Sequence, residues 1–339
     1  MIYSSEKSMN CHIEEAYNQL IICVDADGRP AAEQVQALNE AYGEYVLGMA
    51  SLGVRRRELL GRYFAPAEDL PFLKGFSCSG QLPADGSCAL WVMFTEDDNY
   101  IYTPILYDRE GADSAANTQR IFEDYSRILA DAGLTLADNC VRTWCYVDDI
   151  DNNYKGFYKT RTAYFANHGL TPATHYIAST GIAGTMPAGY GVVGMDALAV
   201  KDPSAAEICY LKGSSNLGRT DAYGVTFERG TVLTLDGKRT ALISGTASID
   251  PAGNVLHVGD VEAQTLRSWE NVDVLLREAG MGFEDVTMMI VYIRNREDYA
   301  AVRRLWDERF GSSIPKLFLH APICRPTWLM ETECIAVKR

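Results

Sequence analysis

Two stretches of the chain repeat the same order of hydrophobic and polar positions. Residues 118–165 and 265–310 each begin with an amphipathic helix, whose apolar residues recur at three- and four-residue spacing and which ends at an Ala-Gly pair. A strand follows, VRTWCYV or TMMIVYI, and then a second helix. A proline, a short strand and a closing strand complete each repeat. The pattern predicts an α+β fold of two tandem units, each a mixed sheet with helices on one face.

The repeats predict how the chain divides into domains. Residues 1–201 are expected to form an N-terminal domain, residues 202–221 a linker, and residues 222–339 a C-terminal domain. Before the first repeat the pattern is less regular. It predicts a helix around residues 31–47 and the strands QLIICVD, CALWVMF and NYIYTPILY. We assign the last two strands to the first repeat and the earlier residues to an extension.

The closing strand of the second repeat, METECIAVK, carries charge among apolar residues. Alternation at a period of two places Glu331 and Glu333 on one face, about 7 Å apart at a rise of roughly 3.4 Å per residue. When the closing strands are aligned, Glu333 matches Asp196 and Glu331 matches Gly194. A carboxyl group present in one copy only favours a functional role for Glu331, with a partly exposed edge-strand glutamate as the alternative. We assign Glu333 mainly to structure or to orienting a neighbour.

Composition and charge exclude several classes of function. The net charge is −14, whereas an extended nucleic-acid surface needs a basic face. The nine cysteines form no CxxC pairs and the five histidines no HExxH or HxxxH spacing, so neither a metal site nor a disulfide framework is expected. No apolar run is long enough to span a membrane, and the stretch MIYSSEKSMNCHIEE has neither a basic n-region nor an apolar h-region. We therefore expect a cytoplasmic protein. A small anionic substrate would need a few cations gathered in one pocket.

The second repeat resembles a known superfamily. The strings LISGTASIDPAGNVLHVGDVEAQTLRSWENVDVLLREAGMGFEDV, MIVYIRNREDYAAVRRLWDERF, PKLFL and LMETECIAV are similar to the RidA/YjgF proteins. The resemblance implies chorismate-mutase-like subunits, a homotrimer with active sites between subunits, and enamine or imine deaminase activity in the simple members. Those deaminases carry an arginine where this chain has Lys316. Lysine lacks the bidentate fork of arginine, which counts against deaminase activity.

A narrower resemblance extends over most of the chain. RTWCYVDDIDN, AYGVTFERG, SGTAS and CRPTWLMETE resemble the corresponding segments of the chorismatases, a double RidA-like family that releases pyruvate from chorismate. The resemblance implies that Glu331 protonates the enol ether, that the resulting oxocarbenium ion is attacked, and that no metal or organic cofactor takes part. It also implies that Cys324 is a catalytic-site residue that shapes the product, since cysteine at this position is associated with a hydroxybenzoate.

The matched motifs also supply candidates for substrate binding. A dicarboxylate needs about two cationic anchors, an aromatic residue could pack on its ring, and a Ser-Gly pair in a strand can offer backbone groups. Each candidate also has an ordinary explanation as a surface charge, core aromatic or tightly packed strand residue. The alternatives of a RidA-type deaminase and a non-catalytic ligand-binding trimer stay open, as does the choice among 3-hydroxybenzoate, 4-hydroxybenzoate and a dihydrodiol. The substrate-binding candidates are Arg142, Tyr223, Arg229, Ser244, Gly245, Lys316 and Arg325.

Overall fold

The computed structural model describes residues 10–25, 28–109 and 113–339, which form three sheets with their helices. We call each sheet together with its helices a layer, numbered in chain order. The elements of the first layer are β1 (Cys11–Ala16), β2 (Gln19–Val24), α1 (Ala31–Ser51), β3 (Arg57–Phe64), β4 (Ser77–Cys78) and β6 (Ala89–Thr95), and the short β5 (Leu82–Pro83) leaves this layer to join the third sheet. The strand order is β1-β2-β6-β3-β4. Only β3 and β4 run parallel to each other.

The second layer contains the first predicted repeat. Its elements are β7 (Tyr100–Tyr107), α2 (Ser114–Asp131), the short α3 (Leu136–Asn139), β8 (Cys140–Val147), α4 (Ile150–Asn167), β9 (Ala178–Ala183) and β10 (Val193–Val200). The strand order is β7-β10-β8-β9, and β8 and β9 are parallel. The closing strand β10 therefore lies inside the sheet, between β7 and β8.

The third layer contains the second predicted repeat. Its elements are β11 (Glu207–Leu211), β12 (Gly230–Leu235), β13 (Lys238–Ala247), α5 (Val261–Glu278), β14 (Val286–Ile293), α6 (Tyr299–Arg309), β15 (Lys316–His320) and β16 (Met330–Lys338). The strand order is β11-β12-β13-β16-β14-β15-β5, with β14 and β15 parallel. The closing strand β16 has the same central place as β10, which confirms the predicted α+β fold with two similar units.

The helices begin and end at local signals in the sequence. The carboxylates of Asp113 and Asp260 accept hydrogen bonds from backbone amides in the first turns of α2 and α5, and so cap both helices. Just past their ends, Gly133 and Gly280 adopt positive φ angles of 75° and 71°. These glycines are the predicted Ala-Gly ends. No helix in residues 10–25, 28–109 and 113–339 is long and apolar enough to cross a membrane.

Two expectations about organisation need correction. The strand CALWVMF does not belong to the first repeat, because β6 pairs with β2 and β3 of the first layer. The residues taken as an extension thus form a sheet with the strand order of the other two layers, without a second helix. In the predicted linker, 202–221, β11 pairs with β12 at the edge of the third sheet. The proposed domain boundaries stay a prediction.

The three layers share one hydrophobic core. It contains Trp91 of β6, Trp144 of β8 and Tyr292 of β14, all at most 1% exposed. Two buried ion pairs cross the layer boundaries. Arg62 lies 2.7 Å from Asp196 between the first and second layers. Arg142 lies 2.6 Å from Glu333 between the second and third layers.

Candidate active site

A cavity lies where the second layer meets the third. The second layer contributes side chains from α4 and residues of β9, and the third contributes β13, β16 and the loops before β12 and β16. Both walls come from the same chain. The lining residues are Tyr154, Arg161, Ser179, Gly181, Tyr223, Val225, Phe227, Arg229, Gly245, Ala247, Ile249, Cys324, Arg325, Trp328 and Glu331.

Glu331 is the carboxyl group that faces this cavity. It is 5% exposed, and a Cβ added to Gly245 would lie 2.0 Å from its Oε1, so the carboxyl group rests against that glycine. Burial and, secondly, the charge of Glu333 raise the pKa of Glu331 to about 8, despite the opposing effects of Arg142 and Arg229. No described residue donates a hydrogen bond to its carboxyl group. Near neutral pH Glu331 is therefore mostly protonated, as a general acid must be.

Glu333, on the same strand face, has a different environment. Three donors from the second layer reach its carboxylate. Arg142 Nη2 lies at 2.6 Å, Trp144 Nε1 lies at 2.9 Å, and the hydroxyl of Thr180 donates a third hydrogen bond. The Thr180 hydroxyl also accepts a hydrogen bond from the amide of Gly245, at 2.9 Å. This network joins the two layers directly beside the cavity.

Three arginines line the cavity without a carboxylate partner among the described residues. Arg161, on α4, is 2% exposed and donates only to Ser179 Oγ, at 3.2 Å, so that its Nε is unpaired. Arg229 donates to a backbone carbonyl and to the hydroxyl of Tyr223, and its buried Nε is also unpaired. Arg325 donates to a backbone carbonyl. In a chain with 45 acidic residues, such a cluster indicates an anionic ligand.

The remaining walls are aromatic, with one thiol. Tyr154, Tyr223, Phe227 and Trp328 surround the space, and planar rings of this kind pack on a ligand ring. Burial and the charge of Glu331 raise the pKa of the half-buried Cys324 to about 12, so its thiol is neutral near pH 7. No group of three or more potential metal ligands from His, Cys, Asp and Glu occurs in the part of the chain that the structure describes.

Arg294 holds the loop that carries Cys324 and Arg325. Its guanidinium donates to the carbonyls of Ile323, Arg325 and Trp328. It also binds both carboxylate oxygens of Asp151, near the start of α4, at 2.9 and 3.2 Å. A single, partly buried arginine therefore fixes the loop of the third layer against the helix of the second layer.

The structure brings most of the predicted site residues together. Glu331, Cys324 and the predicted binding residues Tyr223, Arg229, Gly245 and Arg325 all line the cavity. Three predicted binding residues do not. Arg142 is turned into the core, where it binds Glu333 and Thr180. Ser244 is satisfied by the backbone, because its hydroxyl donates to the carbonyl of Glu228 and accepts from the amide of Ser179. Lys316 binds Glu14 of the first layer at 2.7 Å.

Sequence reasoning missed Arg161, which the structure places in the cavity wall. A signal was present in YKGFYKTRTAYF, because residues four apart share a helix face. Arg161 lies four residues from both Phe157 and Phe165, which are buried. Its guanidinium lies 4.8 Å and 5.8 Å from their ring centroids. A cation on an apolar helix face can therefore mark a site.

Comparisons with known proteins agree with this architecture. Residues 232–338 match the family model described as Endoribonuclease L-PSP. A RutC family protein of Pyrococcus abyssi is 33% identical over 97 residues, which cover 28% of this chain and 76% of the relative. A chorismatase crystal structure at 1.08 Å resolution has a TM-score of 0.67 at 22% identity, covering 83% of this chain and 93% of that chain. At this identity the structural likeness establishes the fold alone.

Proposed function

The chain belongs to the RidA/YjgF family, and from this premise and the chemistry of the cavity we propose that it is a chorismatase-like enzyme that releases pyruvate from chorismate. The observation that carries the proposal is Glu331, a buried carboxyl group whose raised pKa favours the protonated form. It lines the same cavity as three arginines that have no carboxylate partner among the described residues. A proton donor beside anion-binding groups fits a substrate that carries both carboxylates and an acid-labile enol ether.

In the proposed reaction, Glu331 gives its proton to the methylene carbon of the enolpyruvyl group. The ether carbon then becomes an oxocarbenium ion, and water adds to it to give a hemiketal. The bond between the hemiketal carbon and the ring oxygen breaks, the ring oxygen keeps a proton as a hydroxyl group, and pyruvate leaves. The Glu331 carboxylate is left to accept a proton later in the cycle. Formation of a hydroxybenzoate consumes no net water, whereas formation of a dihydrodiol consumes one. Cys324, as a neutral thiol in the wall, is proposed to influence which product forms.

The three arginines are proposed to hold the substrate carboxylates. Arg161 with Ser179 lies on the side of the second layer, and Arg229 and Arg325 lie on the side of the third. Charge-assisted hydrogen bonds in a desolvated site are strong and directional, so they would orient the enol ether toward Glu331. The aromatic walls would pack on the ring. A homotrimer and a cytoplasmic location remain predictions.

The test is incubation of the purified protein with chorismate, with pyruvate release coupled to lactate dehydrogenase. We expect pyruvate from the wild type and a loss of at least about 100-fold in Glu331→Gln, because glutamine has the shape of the carboxyl group without its acidic proton. Chromatography of the aromatic or dihydrodiol product then identifies the outcome. Equal unfolding midpoints of the two proteins at pH 7 would show that the variant is folded.

A wild-type protein that releases no pyruvate would contradict the proposal. Hydrolysis of 2-aminoacrylate would then support an imine deaminase, and inactivity on both substrates would support a non-catalytic ligand-binding protein. The structure gives the deaminase less support, because Lys316, which stands at the carboxylate-binding position of those enzymes, is bound to Glu14 outside the cavity.

A further inference from the structure

Glu331 and Glu333 lie on one face of β16 but have opposite environments. All three hydrogen-bond donors that reach this face from the second layer, those of Arg142, Trp144 and Thr180, go to Glu333. A carboxylate that forms an ion pair is a negative neighbour, and a second carboxyl group beside it in a low-dielectric site binds its proton more tightly. Pairs of carboxyl groups separated in this way commonly divide the roles of acid and charged neighbour.

We propose that Glu333 is a positioning residue whose carboxylate, held by the second layer, keeps the proton on Glu331. The proposal rests on the proposed function only in its kinetic test, since the protonation of Glu331 can be measured without substrate. Through Thr180, the same network also fixes the amide of Gly245, against which the Glu331 carboxyl group lies. Glu333 would therefore act on both the charge state and the position of the acid.

Other groups around Glu331 do not replace this effect. Arg142 and Arg229 have the opposite effect, because their positive charges favour the ionised form of Glu331. With Glu333 neutral, these cations would act unopposed by any other carboxylate that acts on Glu331. The titratable and charged groups that face Glu331 or line its cavity are Glu333, Arg142, Arg229, Arg161, Arg325, Cys324, Tyr154, Tyr223 and Tyr292.

The second layer offers a matched control for the change. Asp196 in β10 corresponds to Glu333 in β16 when the two closing strands are aligned. Asp196 follows Gly194 by two residues, as Glu333 follows Glu331. Asp196 also forms a buried ion pair, with Arg62, and accepts from Tyr146. No carboxyl group corresponds to Glu331 beside it, because that place is Gly194. Asp196→Asn therefore removes a similar buried charge without touching the pair of glutamates.

The experiment is an infrared titration of the purified protein, read at the carbonyl stretch of a protonated carboxyl group and assigned to Glu331 by subtracting Glu331→Gln. We expect a wild-type midpoint near pH 8. In Glu333→Gln the midpoint should fall by about one unit or more, and in Asp196→Asn it should not move. An unchanged midpoint in folded Glu333→Gln would overturn the proposal.

Loss of Glu333 leaves Arg142 buried without its partner, so the double variant Glu333→Gln/Arg142→Met provides a second route if the single variant does not fold. Because Arg142 opposes the effect of Glu333, the comparison is with Arg142→Met alone. The midpoint of the double variant should lie below that of Arg142→Met, and equal midpoints in these two variants would also refute the proposal. With chorismate, the alkaline loss of kcat/KM should shift to lower pH by the same amount as the infrared midpoint. If the role of Glu333 were purely structural, its replacement would lower kcat/KM at every pH without shifting the pH at which the alkaline loss occurs.

If chorismate is not a substrate, the infrared midpoint still decides the role of Glu333. If pyruvate is released but the midpoint of Glu333→Gln is unchanged, only the role of Glu333 fails.

Discussion

Two boundaries can be compared, one between the second and third layers and one between the first and second. Each has a β-bulge in a strand beside it, but the side chains at the two bulges differ in size. In the β13–β16 ladder, pairing skips Ser244 and Gly245, and in the β7–β10 ladder it skips Pro104 and Ile105. At the first bulge the large Glu331 lies against Gly245. At the second, Ile105 lies against Gly194.

The exchange of sizes decides which boundary is open. A Cβ on Gly194 would lie 3.2 Å from Ile105 Cδ1 and 2.5 Å from Met186 Sδ, so apolar side chains fill that place. Around Glu331 the corresponding space is the cavity. A bulge at this place is thus common to both units. Glu331 opposite Gly245 makes the boundary between the second and third layers chemically distinct.

Both boundaries nevertheless retain a buried acid that binds an arginine of the preceding layer. Asp196 pairs with Arg62, which also lies against the rings of Trp91, Trp144 and Tyr146. Glu333 pairs with Arg142. Buried ion pairs offset their desolvation cost only when their geometry is good, so neither pair need add much to the stability of the fold. Their presence at both boundaries is better explained if they fix how one layer is placed against the next.

Gly245→Ala changes the boundary between the second and third layers, where the cavity lies. Of the variants that compare the boundaries, it should reduce activity the most. The new methyl group would overlap Glu331 Oε1 and displace the acid, so pyruvate release from chorismate should fall about 100-fold. Gly194→Ala is the control, because its methyl group would meet mainly the flexible side chain of Met186. That variant should keep its rate within about twofold. Coupled pyruvate assays and unfolding midpoints measure both effects, and a wild-type rate in Gly245→Ala would show that the position of Glu331 is not required.

Arg161→Met should have a smaller effect, confined to substrate binding. Loss of one charge-assisted anchor should raise KM for chorismate about 10- to 100-fold. Stability should change little, because Arg161 has no carboxylate partner in the described residues. Arg62→Met should do the reverse, since an unpaired buried Asp196 costs about 3–5 kcal/mol of unfolding free energy while the cavity is untouched. Steady-state kinetics and denaturant titration of both variants separate the roles, and an unchanged KM in Arg161→Met would remove it from the binding site.

The sequence predicted those parts of the fold and site that depend on short-range periodicity. Helix patterns with their terminal glycines located α2 and α5, and alternation in β16 placed Glu331 and Glu333 on one face. Alternation cannot say what a face packs against. Arg142 was therefore predicted to bind substrate, whereas in the structure its side chain binds Glu333 of another layer.

The helix α1 and the strands β2 and β6 were predicted, but the first layer was not predicted as a third unit. Its fourth strand has only two residues, and no second helix occurs among its described residues. Strand pairing over long sequence separations leaves little local signal. In the structure β6 pairs with β2 and β3 rather than with the neighbouring β7. The same limit applies to Lys316, whose partner Glu14 is 302 residues away.

Lys316→Met tests the remaining boundary, between the third and first layers, and should have the smallest effect. Lys316 Nζ binds Glu14 Oε1 at 2.7 Å, and neither side chain lines the cavity. Glu14 is 38% exposed, so losing this pair should cost at most about 1 kcal/mol of stability. We expect kcat and KM for chorismate to stay within about twofold of wild type. If KM rose as far as in Arg161→Met, the lysine would hold the substrate as its place in the sequence suggests, and catalysis would require a rearrangement that frees it from Glu14.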